Sequence, residues 1–185
     1  MKNTLTRIWK GKQSLEVFSL ENHQSQLIGG GIVYGLTNGP ATAMKYQVVL
    51  DKCWKVKAVK ITLLTKPYTL LVLSVDNYNR WFDQYNRHLP DLDGCVDIDI
   101  SATPFTNTLP IRRLKLQVDE TQQLKVVYIK VPELTVLPLI QYYTRISERR
   151  YRYENVHTNF RSELFVDQEG LMVTYPGLFE CVYAL

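Results

Sequence analysis

The sequence predicts an all-β chain, built mainly of antiparallel strands with little helix. Two observations carry this. Short apolar runs of strand length recur along the chain, and long helical periodicity is absent. Several runs also share one plan: an apolar strand, an acidic residue at a turn, and a return strand. Aspartate and asparagine suit such turns because their side chains bond nearby backbone and tolerate left-handed angles.

Taken in order, "SLEVFSLE" alternates, with Leu15, Val17 and Ser19 on one face. "IGGGIVYGL" continues as an apolar run behind Gly29, Gly30 and Gly31, which read as a turn or bulge. They are not a dinucleotide fingerprint, because the spacing is wrong and no helix follows. "YQVVLDKCWKVKAVKI" predicts a hairpin turning at Asp51, "LLVLSVDNYNRWF" one at Asp76 and Asn77, and "SELFVDQEGLMVTY" one at Asp167 to Gly170. "LKLQVDETQQLKVVYI" reads as a fourth, turning near Asp119 and Glu120. "VPELTVLPLIQYYTRI" carries Pro132 and Pro138 and reads as an irregular edge strand. "LPIRRLKL" admits a helical turn, since Pro110 suits a first helical position.

A chain of 185 residues fits one domain spanning 1–185, and 45% apolar residues argue for a packed core rather than disorder. The net charge of +4 is spread thinly, with only "RISERRYRYE" locally basic, so nucleic acid is not the expected partner. Cys53, Cys95 and Cys181 are too few and too scattered for a disulfide framework or a zinc site. With no signal-peptide core and no membrane-length apolar window, the expectation is a cytoplasmic protein that is not integral to a membrane.

Candidate chemistry centres on "DGCVDIDI" and "TPFTNTLP". Asp97 and Asp99 are two apart, which on a strand places both carboxylates on one face, opposite Val96, Ile98 and Ile100. They read as a solvated strand face, as the polar lining of a groove, or as an acid–base pair. A third ligand at metal-site spacing is missing, so no metal and no cofactor are expected. Arg112 and Arg113, read as strand neighbours, would point to opposite faces. One could pair with an aspartate or grip an anionic head group. His23, His88 and His157 are scattered and read as surface residues. No phosphate loop or serine nucleophile motif occurs. Aromatic residues are spread over the whole chain, and their apolar faces and polar tips suit a site that takes an acyl chain and a sugar together.

The segments "GCVDIDISATPFTNTLPIRRLKL", "QYYTRISERRYRYEN" and "NFRSELFVDQEGLMVTYPGLFE", with the early "W…SLEVFSL", resemble a bacterial family of glycolipid-binding proteins, formerly a domain of unknown function. The resemblance runs from about Trp9 to Phe179. It implies a strongly curved antiparallel sheet, a spiral β-roll or half-barrel with an open groove. It also implies a glycolipid or similar amphiphile as partner. On that basis the candidate ligand-binding residues are Asp97, Asp99, Asn107, Arg112, Arg113, Tyr143, Tyr153 and Tyr175, with no catalytic set. "TPFTNTLP" would be the loop leaving the groove. A hydrolase or transferase acting through Asp97 or Asp99, and a module that binds a protein partner, are the competing functions.

Overall fold

A computed structural model describes residues 4–35 and 41–185. The first residues of the N-terminal segment, and Leu36 at the end of the glycine-bearing run, lie outside them. Fourteen strands form one open sheet that does not close into a barrel. The first seven make a continuous antiparallel meander: β1 (Thr4–Gly11), β2 (Leu15–Asn22), β3 (Leu27–Tyr34), β4 (Ala43–Leu50), β5 (Val56–Leu63), β6 (Leu70–Val75) and β7 (Trp81–Asp83). The chain then crosses to β8 (Asp97–Ile100) and passes through a 3-10 turn (Phe105–Asn107) and α1 (Thr108–Leu114). A second meander returns through β9 (Thr121–Lys130), β10 (Thr135–Ser147), β11 (Arg150–Asn155), β12 (Phe160–Val166), β13 (Met172–Tyr175) and β14 (Phe179–Ala184). Pairing of β14 with β1 joins the two meanders. β8 runs parallel to β9, and the passage through the 3-10 turn and α1 supplies the long connection that a parallel pair needs. The two outer strands approach each other. The Trp81 indole donates to the Cys95 carbonyl at 3.0 Å, and the Gly94 amide donates to the Asn79 carbonyl at 3.0 Å.

Four turns use one device. Asp51, Asp76, Asp83 and Asp167 each accept, through Oδ1, the amides two and four residues on. The third residue after each aspartate is left-handed: Trp54, Asn79, Asn86 and Gly170 have φ between 57° and 76°. This is the hairpin closure expected of a type I turn followed by an αL residue. The Asp83 turn was not read from the sequence, although "DNYNR" and "DQYNR" are near-copies. In both, Arg pairs with Asp at i, i+4 and lies over the intervening Tyr ring, at 5.4 Å for Arg80 and 5.1 Å for Arg87.

Strand alternation sorts the side chains. In β2, Glu16, Phe18 and Leu20 face the core, while Leu15 and Val17 are exposed on the other face. Three sequence expectations are corrected. Gly29, Gly30 and Gly31 lie inside β3, paired to β2 and β4, rather than in a turn or bulge. β10 is an interior strand bonded to both β9 and β11, not an edge. Pro138 is tolerated because β11 begins to pair only at Gln141, so at that level β10 has a single ladder partner, β9. The fourth hairpin lacks its outgoing arm: α1 ends at Leu114, Lys115 turns left-handed at φ 51°, and only the return strand β9 forms.

"TPFTNTLP" is the larger surprise. It does not leave the concave side of the sheet but packs into it. Phe105 is fully buried, 4.5 Å centroid to centroid from Phe18, and Leu109 is buried with it. Gly29 makes room for the ring: a Cβ there would stand 2.3 Å from the Phe105 Cζ. Gly29→Ala is therefore expected to cost about 1–3 kcal/mol by overpacking. Chemical denaturation would measure it, and Phe105→Leu in the same background should recover part of the loss. An unchanged denaturation midpoint would show that the ring is not wedged against β3.

Candidate functional site

With the segment from Thr103 to Leu109 filling part of the concave side, an open cavity of about 250 Å³ remains beside it, against the second meander. Its apolar wall is a run of rings. Tyr153 stands 6.1 Å from Phe160 and 6.3 Å from Tyr175, and Tyr175 stands 6.3 Å from Phe179. Leu139 and Leu178 complete that wall. Asp99, Ser101, Thr103, Asn107, Asn155 and Thr158 form its polar lining.

Asp99 is the one carboxylate among the described residues lining this cavity. Its Oδ2 accepts from Gln141 Nε2 at 2.6 Å and from the Tyr153 hydroxyl at 3.4 Å. No protein donor reaches Oδ1 among the described residues, and that oxygen is not sealed from the cavity. Burial pushes the Asp99 carboxyl above its usual range, and the two hydrogen bonds oppose the shift. Burial likewise pushes the Tyr153 and Tyr175 hydroxyls up, with the nearby Asp99 charge adding to it. Both phenols therefore remain neutral donors at physiological pH. Asn107 is held by the Tyr143 hydroxyl, which donates to its Oδ1 at 2.9 Å, while its own Nδ2 reaches the Pro104 carbonyl at 3.4 Å.

Of the sequence candidates, the fold thus brings Asp99, Asn107, Tyr153 and Tyr175 to one cavity, with buried Tyr143 positioning Asn107 from behind. The other three stand elsewhere. Arg112 and Arg113 are on α1, not on a strand, so they diverge around a helix rather than across a sheet. Arg113 forms a two-pronged pair with Asp97, Nη2 to Oδ2 at 2.6 Å and Nε to Oδ1 at 3.2 Å. Asp97 is fully buried, so it is not the solvated strand face that the alternation allowed, whereas Asp99 is half-buried and lines the groove. Burial drives the Asp97 carboxyl up, against the pull of Arg113. Arg112 lies over the Trp54 ring, 5.1 Å from its centroid, beside a separate cleft.

Sequence reasoning also missed Glu16. It is buried from β2 and has no ion-pair partner among the described residues. The Tyr46 hydroxyl donates to its Oε1 at 2.5 Å and the Thr103 hydroxyl at 2.9 Å, while Oε2 has no partner among the described residues. Desolvation raises its pKa from 4.5 to about 8, against the two hydrogen bonds. The signal was available: Glu16 shares the i, i+2, i+4 phase of Phe18 and Leu20.

An open all-β sheet with an aromatic-walled cavity on its concave side, carrying one available carboxylate oxygen, is the architecture of a small binding protein. The chain belongs to the family described as "Putative glycolipid-binding", whose model matches residues 6–181. It is also similar to the crystal structure of a DUF1089 family protein from Pseudomonas aeruginosa. The two share 31% identity over 92% of this chain and 93% of that one, with a TM-score of 0.83. No curated protein matches the sequence. Among the described residues, no helix is long and apolar enough to cross a membrane.

Proposed function

We propose that the chain binds the sugar head group of a glycolipid or similar amphiphile in the Asp99 cavity, without catalysis. The supporting observation is the free Asp99 Oδ1, set into a wall of aromatic rings. Sugar C–H faces pack on rings, and a hydroxyl donates to a carboxylate in a charge-assisted bond. At about 250 Å³ the cavity is smaller than those that enclose a whole drug-sized ligand. It therefore takes a head group and the first few methylenes, and the rest of the chain leaves through the open side. Four buried methylenes would add about 3 kcal/mol before ordering costs.

A hydrolase or transferase acting through Asp97 or Asp99 is less well supported. Asp97 is engaged by Arg113 and does not line the cavity, so a second carboxylate for acid–base chemistry is not at hand. The three cysteines stand free, which suits a reducing cytoplasm as the place of action.

The test is calorimetric titration with octyl glucoside below its micelle concentration, beside octanol and glucose. Octyl glucoside should bind more tightly than either. Asp99→Asn should weaken it about tenfold, the scale of a hydrogen bond to a charged group, while the variant stays folded. Equal affinity for octanol and octyl glucoside, or an unaffected Asp99→Asn variant, would overturn the reading.

A further inference from the structure

We infer that the cleft around Arg112 is a second binding site, and that it takes a phosphate group. It is distinct from the Asp99 cavity and shares no lining residue with it. Its volume is about 370 Å³, and four of its lining side chains are cationic: Arg112, Lys115, Arg145 and Arg149.

What distinguishes this cleft from a solvated basic patch is the state of Arg112. Its guanidinium lies against the Trp54 ring in the β4–β5 turn. Its stem runs close over Gly170 in the β12–β13 turn, where an added Cβ would stand 2.9 Å from Arg112 Cδ. The side chain is thus clamped between turns of the two meanders. Yet no acceptor or acid reaches its guanidinium among the described residues. A fork of donors held in place and left without an acceptor is preorganised for a bidentate oxyanion.

The neighbours reinforce the charge. Arg145 is fixed by the carbonyls of Leu116, Ser147 and Glu148, at 2.8, 3.2 and 3.1 Å, and keeps its positive charge uncompensated by them. Lys115 has no acidic partner among the described residues. Of the two acids lining the cleft, Asp167 is engaged by Arg7 at 2.8 Å and by the amides of its own turn. Glu148 is 83% exposed and makes only a 3.9 Å contact with Arg149. The cleft therefore retains net positive charge around the free fork.

A phosphate could arrive on a soluble ester or on an anionic lipid, and the experiment separates the two. The full chain is titrated with glycerol 3-phosphate at low salt, following tryptophan fluorescence. Trp9 and Trp81 are fully buried elsewhere, so a saturable change reports on Trp54. In a parallel arm, co-sedimentation is measured with phosphatidylcholine vesicles with and without phosphatidic acid. Arg112→Gln should weaken binding by at least about tenfold in whichever arm shows it. Arg161→Gln removes the same charge from an exposed pair with Glu154 and should leave binding within about twofold. If Arg112→Gln fails to fold, Lys115→Asn, which suits the left-handed angle at that position, should weaken binding in the same direction. Binding to the soluble ester assigns a free phosphate compound, and binding only to the phosphatidic acid vesicles assigns a lipid. Absence of saturable binding in both arms, or equal losses for Arg112→Gln and Arg161→Gln, would overturn the site. The Asp99 cavity is unaffected by either result.

Discussion

Arg113→Ala is expected to lower the stability of the folded chain by about 3–5 kcal/mol, because it strands a buried charge. Asp97 is fully buried and both of its oxygens are held by the one guanidinium. With the arginine gone, the carboxylate must be buried unpaired or take up a proton. The loss should therefore shrink in acid, where protonation is easy, and Asp97→Asn in the same background should recover part of it. Urea denaturation of the single and double variants measures this directly. Affinity for octyl glucoside per folded molecule should stay unchanged, because Arg113 does not line the Asp99 cavity. A stability change below about 1 kcal/mol would mean that Asp97 finds another partner.

The second large effect is a dependence of stability on pH set by Glu16. Its folded pKa, about 8, lies above the ordinary 4.5, so between these values the folded state holds a proton that the unfolded state has released. Stability from this group is fully present below about pH 4.5 and falls as pH rises through the folded pKa near 8. The total over that window is on the order of several kcal/mol. Glu16→Gln keeps the shape of the protonated acid without the charge. It should flatten the fall and be more stable than the wild type above pH 8. Thermal melts across pH 5 to 9 would show it, and parallel wild-type and variant curves would assign the titration elsewhere.

The strands and their aspartate turns were legible because they are local. An Asp that bonds the amides two and four residues ahead needs nothing from the rest of the chain, so the turns at Asp51, Asp76 and Asp167 could be read directly. What failed depended on distant partners. Pro138 looked like an edge signal, and it does sit where β11 has not yet paired, but the rest of β10 is interior. The three glycines looked like a turn, because nothing local announces that Phe105, far along the chain, will need the space over Gly29. The helical turn at "LPIRRLKL" was legible from Pro110 and forms as α1, and only the reading of Arg112 and Arg113 as strand neighbours fails, because "TPFTNTLP" packs into the concavity instead of extending along the sheet.

The candidate site was legible in part for the same reason. Asp99 and Asn107 stood out by chemistry, and Tyr153 and Tyr175 by their amphipathic rings. Phe160 and Phe179 drew no distinction from the other aromatics until the pairing of β11 to β14 brought the rings into one wall. Gln141, which fixes Asp99, carries no signal in the sequence beyond its place in an apolar strand.

The central claim is that the Asp99 cavity receives the sugar of an amphiphile, and the most direct test is where such a ligand touches the chain. Amide and methyl resonances should be followed by NMR while octyl glucoside is added to the isotopically labelled protein. The largest shifts should fall at Asp99, Asn107, Tyr153, Phe160, Tyr175 and Leu178. Shifts centred instead on the exposed outer face around Leu15 and Val17, with those residues unmoved, would contradict the account.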